Sequence, residues 1–222
     1  MSPDGRRVAA AERRRRREAE IVAATRELFA TRGVRDTQIE HVAAAVGVNR
    51  AIVYRHFTGK EELFALAVVS YLEDLRGRLV EAADAGTDPT TRLQEITKAF
   101  VDFGLEHPPF ADCAQTLMRS TGEDLLKEMS ETAVLRLGRA MSGCLSVLSG
   151  VLTDGNEDGV FQVDDPTLLA NLFYASGLGA LQLARVGLLV GESPSGAPTA
   201  SEITGDQVRD YLVAYVLALA KK

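Results

Sequence analysis

The sequence predicts an all-α protein, a three-helix head followed by a larger helical bundle, with about nine helices in all. Three observations predict it. Apolar residues recur at i, i+3, i+4 and i+7 in one segment after another, and neither an alternating strand pattern nor an internal repeat interrupts them. Helix-start signals punctuate the chain, among them the pairs Asp88-Pro89 and Asp165-Pro166, which put proline in a first turn. With 222 residues and 46% apolar content there is enough chain to bury a real core, in one large or two small domains.

The elements follow in order. Arg6, Arg7 and Arg13 to Arg17 dominate a stretch with almost no apolar content. Like charges this dense resist folding, so residues 1–17 are expected to be a disordered basic arm. Such an arm either inserts arginines into a minor groove or adds only phosphate attraction. No apolar h-region follows it, so it is not a signal peptide. The first helix is expected from about Glu12 to Thr31, with Ile21, Ala24, Leu28 and Phe29 on one face and Gly33 beyond its end. Thr37-Gln38-Ile39-Glu40 has the form of a capping box, opening a helix whose stripe is Ile39, Val42, Ala43 and Val46. Gly47 supplies the reversal, and Asn49 is suited to cap a second, short helix. Val53 and Phe57, four apart, can anchor that helix, leaving Asn49, Arg50, Ala51, Ile52, Tyr54, Arg55 and His56 to face outward. Thr58-Gly59-Lys60-Glu61 repeats the capping pattern and opens a long helix to about Ala83. This is the layout of a helix-turn-helix, whose second helix lies in a major groove.

Beyond it, a helix is expected from Asp88-Pro89 to near His107-Pro108-Pro109, then a short one from about Phe110 to Arg119. A cap at Thr121 to Asp124 opens a helix reaching Leu152, with Leu137, Met141, Cys144, Leu145, Leu148, Val151 and Leu152 in register. Residues 154–159 read as a polar turn, and Asp165-Pro166 as the start of a helix to about Leu189. The run GESPSGAPTA, residues 191–200, has the composition of a flexible linker. Thr204 caps a last helix ending at about Ala220. That helix places Val208, Tyr211, Leu212, Tyr215, Val216 and Leu219 on one face. The helix before it carries the small residues Ala175, Ser176, Gly177, Gly179 and Ala180, which let another helix approach closely.

Charge sharpens the division. The net charge of −6 splits into 13 Lys/Arg against 7 Asp/Glu in residues 1–60, and 12 against 24 in the remainder. A basic head on an acidic body directs the head at a polyanion. The longest uninterrupted apolar run, Leu212–Ala220, is far short of a membrane span, so no membrane association and a cytoplasmic location are expected. Cys113 and Cys144 are expected to be reduced core residues. His41, His56 and His107 show no metal-ligand spacing, and no nucleophile–base pair or phosphate-binding glycine loop appears, so no enzyme, metal or cofactor is expected.

The segment GVNRAIVYRHFTGKEEL, with Ile21, Ala24, Leu28, Phe29, Gly33, Thr37, Ile39, Val42 and Ala43 before it, resembles the N-terminal domain of the tetracycline-repressor (TetR) family of bacterial transcription regulators. The resemblance covers roughly residues 18–66; the rest of the chain agrees only in general plan. It implies a DNA-binding domain over residues 18–64 and a ligand-binding and dimerisation domain over 65–222. Asn49 and Arg50 lead the recognition helix, and Arg50 is placed for a bidentate contact to guanine. Ala51 allows close approach, while Ile52, where the family commonly has a polar residue, either touches a thymine methyl or turns into the core. Tyr54, His56 and Lys60 match positions that hold phosphates, Arg55 suits either role, and Gln38 is a further candidate. By the same resemblance the last two long helices form a homodimer interface, and a small-molecule effector in the larger domain releases a repressor from a palindromic double-stranded operator. Phe100, Phe103, Phe110, Leu117, Met118, Met141, Cys144, Phe173 and Tyr174 are candidates to line its pocket, which suits an apolar or amphipathic ligand. The alternative is an architectural or partner-regulated DNA-binding protein without an inducer.

Overall fold

The computed structural model describes residues 3–119 and 121–221. In chain order its elements are α1 (Pro3–Arg32), α2 (Ile39–Val46), α3 (Arg50–Tyr54), α4 (Lys60–Ala85), α5 (Pro89–Glu106), α6 (Pro108–Leu117), α7 (Gly122–Glu128), α8 (Glu131–Glu157), α9 (Pro166–Val186), β1 (Leu188–Glu192), β2 (Pro198–Glu202) and α10 (Gly205–Ala220). The chain divides into two compact units. One comprises the chain up to Tyr71 together with Asp112–Gly138; the other comprises Leu72–Ala111 and everything from Arg139 on. This differs from a division after residue 64, because residues 112–138 pack with the head.

The head is built on α1, α2 and α3. Ile21, Val22 and Phe29 of α1 are buried with Ile39, Val42 and Ala43 of α2, Val53 of α3, and Phe57. Phe29 meets Phe64 of α4 edge-on, with ring centroids 4.6 Å apart. Gly47 ends α2 in the left-handed region, φ 71°, where a side chain would be strained. The caps sit one residue later than the sequence suggests. Gln38, not Thr37, precedes α2, and its N–H donates to His41 Nδ1 at 3.2 Å. Thr37 is buried and its hydroxyl donates to the Gly33 carbonyl at 2.8 Å. At the start of α4 the carboxylate that reaches back is Glu62 rather than Glu61, accepting from the Thr58 N–H at 3.0 Å and from the Thr58 hydroxyl.

Glu62 also explains why residues 112–138 join this unit. It is 5% exposed and accepts from the Ser130 hydroxyl at 2.8 Å. Ser130 Oγ in turn accepts from the Ala133 N–H at 3.2 Å, capping α8. Burial pushes Glu62 up, but the hydrogen bonds from Thr58 and Ser130 outweigh it and hold the carboxyl below its ordinary value. Arg136 pairs with Glu18 of α1. These partners lie far apart in sequence and leave no local pattern. Ser130 also accounts for a correction. The helix expected to run unbroken from Thr121 is two helices, because Met129 is extended (φ −128°, ψ 155°) and buried.

A second correction concerns the arm. Residues 3–17 are not disordered but continue α1, which is helical from Pro3. Alanine and arginine are strong helix formers, Glu12, Glu18 and Glu20 offset part of the charge, and the packed half of α1 supplies a nucleus from which the helix propagates. Arg17 pairs with Glu20 at 2.9 Å.

In the other unit, α5 buries Leu93, Ile96, Phe100, Val101 and Phe103, α9 buries Ala170, Phe173, Tyr174, Gly177, Leu178 and Leu181, and α10 buries Val208, Leu212 and Val216. Gly177 admits the Phe100 ring, which a Cβ there would meet at 2.5 Å. Among the described residues α9 is the one helix long and apolar enough to cross a membrane, yet that buried face belongs to the bundle core. Helix α8 runs on to Glu157, five residues past Leu152, and the turn follows at Gly159 (φ 68°). Helix α9 stops at Val186, short of Leu189, because Gly187 takes the left-handed conformation. The expected linker is instead an antiparallel hairpin pairing Leu188 with Glu202 and Glu192 with Pro198. Its Pro, Ser and Gly make a turn: Gly196 has φ 82° and its N–H donates to the Ser193 carbonyl at 2.9 Å.

Candidate functional site

Helix α3 is five residues long, too short to persist unaided. Asn49 caps it, its side chain accepting from the Ile52 N–H at 3.0 Å. Val53 and Phe57, 0% and 2% exposed, fasten it to the head. What remains outside is a polar face. Asn49, Arg50, Ala51, Tyr54 and Arg55 are exposed, and Ile52, His56 and Lys60 are half-buried. Ile52 is neither free nor in the core, so it leaves both of its readings open.

These side chains form two small networks. The Arg50 guanidinium pairs with Glu40 of α2 at 2.8 Å and lies over the Tyr54 ring, 5.2 Å from its centroid. Lys60 donates to Gln38 Oε1 at 3.4 Å and lies 4.9 Å from the Phe64 centroid. Glu40 escaped the sequence reading, which assigned it to a cap. His56 differs from the rest: its Nδ1 is buried with no hydrogen-bond partner. Burial, then the charge of Arg14, hold its imidazole below the ordinary 6.5; Glu18 opposes this, and Arg55 and Arg17 add to it. Burial and the charge of Arg14 both favour the neutral imidazole.

The larger unit holds a small cavity of about 20 Å³, lined by Leu75, Leu79, Ile96, Phe100, Cys144, Leu145, Leu148, Ala170, Phe173 and Tyr174. Of the residues nominated from sequence it brings together Phe100, Cys144, Phe173 and Tyr174. Phe103 and Phe110 are buried against one another, centroids 5.4 Å apart, and do not line it. Met141 is half-buried outside the lining, and Leu117 and exposed Met118 belong to the other unit. The aliphatic lining was not nominated, because Leu and Ile at helical spacing read the same whether they border a cavity or fill a core. The polar groups here are few. The Cys144 thiol donates to the Leu72 carbonyl at 3.1 Å and is pushed up to about 12 by burial. The Tyr174 hydroxyl is buried without a partner. None of the described lining residues is cationic. Cys113 and Cys144 are both free thiols, and no cluster of metal-ligating side chains occurs among the described residues.

A capped, outward-facing α3 on a three-helix head defines a helix-turn-helix DNA-binding protein. Residues 21–67 match the family model described as bacterial regulatory proteins, tetR family. The match covers the head and not the larger unit. The chain is similar to the HTH-type transcriptional activator FasR of Mycolicibacterium smegmatis, 30% identical over 41% of either chain. It is also similar to the HTH-type transcriptional repressor KstR2 of Rhodococcus jostii, 28% identical over 72% of this chain and 74% of that one. The match to FasR thus spans less than half of that relative's length. The fold matches the structure of the regulator FadR from Bacillus subtilis in complex with stearoyl-CoA, with a TM-score of 0.66 at 14% identity over 90% of this chain and 98% of that one.

Proposed function

We propose that the protein is a repressor that binds a palindromic operator as a homodimer and lets go when a small apolar or amphipathic molecule enters the cavity. The observation that carries the DNA half is the face of α3: a helix locked by Asn49, Val53 and Phe57 that spends its remaining side chains on Arg50, Tyr54 and Arg55. The cavity supports the ligand half, since a lining of aliphatic and aromatic carbon with no cation favours uncharged or long-chain molecules. The stearoyl-CoA held by FadR and the repressor relative KstR2 lend this reading weight. The dimer rests on exposed apolar residues of the last two helices, namely Leu168, Leu172, Leu183 and Val186 on α9 and Tyr211 and Tyr215 on α10. Of the face anticipated on α10, Val208, Leu212 and Val216 turn inward, which leaves the two tyrosines outside.

Footprinting of DNA upstream of the protein's own gene tests this. Two protected half-sites about one helical turn or a multiple apart are expected, with protection lost on adding stearoyl-CoA or another amphipathic acyl compound. A single asymmetric footprint, or one that no such compound disturbs, would leave the partner-regulated reading in its place.

A further inference from the structure

The arginines ahead of the head are not part of the matched domain, which begins at residue 21. They nevertheless sit on an ordered element, because α1 is continuous from Pro3 to Arg32. Helical register then decides where they point. Arg7 and Arg14, seven apart, lie on the stripe that continues through Glu18 to Ile21 and Thr25, both 0% exposed. Arg6, Arg13 and Arg17 lie on the adjoining stripe. Arg15 flanks the first stripe on its other side, seven before Val22 and fourteen before Phe29, both buried. Six of the seven arginines therefore stand on or beside the side by which α1 packs into the head, while Arg16 points away. Proximity agrees with register, since Arg14 and Arg17 are near enough to His56, just beyond α3, to act on its imidazole. None of Arg6, Arg7, Arg13 or Arg14 has an ion-pair partner among the described residues.

We infer that the N-terminal half of α1 is a second DNA-binding element, a helical basic strip that lies along phosphates flanking the site read by α3. The inference rests on the DNA-binding reading of the head. A strip from Arg6 to Arg17 is about 17 Å long at 1.5 Å per residue. A duplex offers about one phosphate charge per 1.7 Å of its axis, so the strip has ample partners. Shape excludes the alternative for an arginine arm. A helix about 10 Å across does not enter a minor groove about 6 Å wide, whereas an extended arm does. The contact is accordingly to the backbone and blind to sequence.

That blindness allows a test without the operator. The full-length protein is titrated with a long random-sequence duplex across a salt series. Wild type is compared with a variant carrying Arg→Gln at 6, 7, 13, 14, 15 and 17, and with an Arg16→Gln control. Circular dichroism verifies that helix content is retained. The six-site variant should lose about 5 from the slope of log affinity against log salt, one near-unit loss per phosphate contact, while the control loses less than about 0.5. The same loss should appear on A·T-only and G·C-only duplexes. Equal slopes in wild type and six-site variant would overturn the inference, as would a control that loses as much per charge. A loss confined to A·T duplexes would overturn it in favour of minor-groove insertion. Wild type that shows no salt-dependent binding to any duplex would sink the DNA-binding reading itself.

Discussion

Arg50, proposed to read a base, is paired with Glu40. Both side chains are more than half exposed, 60% and 57%, so the pair contributes only about 0–1 kcal/mol. A bidentate contact to guanine discriminates by about 1–3 kcal/mol, so exchanging the carboxylate for a base edge is favourable. Glu40→Gln should therefore tighten binding to every duplex by lifting a negative charge from the interface; titration that shows weaker binding would contradict this. His56 gives a second prediction. Its folded pKa lies below the unfolded value of 6.5, so the unfolded chain binds more protons in that window. The stability it contributes is present above pH 6.5 and is lost as pH falls. An NMR titration of the imidazole should give a midpoint below 6.5, and one above would refute the desolvated site. Tyr174→Phe should leave stability unchanged or raise it by about 1 kcal/mol, since it deletes a buried hydroxyl without a partner; a clear loss of thermal stability would mean that the hydroxyl is bonded. At this scale legibility follows locality. Asn49, Val53 and Phe57 could be read because caps and anchors depend on neighbours three and four residues away. The bonds from Ser130 to Glu62 could not, because 68 residues separate them.

Among the elements, α3 is the one whose existence decides function. Asn49→Ala should cost about 1 kcal/mol of cap energy, and because α3 is a single turn anchored at two points, operator affinity should fall along with it. An unchanged affinity would mean that the duplex, not the cap, orders the helix. Helix starts were legible at Asp88, Asp165 and Thr204, where Pro or a capping residue stands before a clear apolar pattern. The arm and the linker were misread for opposite reasons. Charge density suggested an unfolded arm where helix propensity and the packed half of α1 prevail. Glycine, proline and serine suggested a linker where the same residues close a hairpin whose strands are exposed throughout. An isolated hairpin of this size is marginal in water, and no alternating pattern announced it.

For the whole molecule, the division between a basic head and an acidic remainder was plain from charge alone. The compact units were not, because α4, α6 and α8 each contribute residues to both and only long-range contacts assign them. A head that reads a few base pairs gains specificity by pairing with a second copy. Leu172→Glu with Tyr211→Glu, placed on exposed positions of α9 and α10, should convert a dimer to a monomer in sedimentation and abolish protection of paired half-sites. A variant that stays dimeric would move the interface elsewhere. The central claim is that α3 reads base sequence. It is tested most directly by fluorescence anisotropy on DNA upstream of the protein's own gene against scrambled DNA at near-physiological salt, with Arg50→Ala/Tyr54→Ala alongside. The account predicts tight binding to the upstream duplex alone, lost in the variant. Binding that is equal on both duplexes and indifferent to the two substitutions would contradict it.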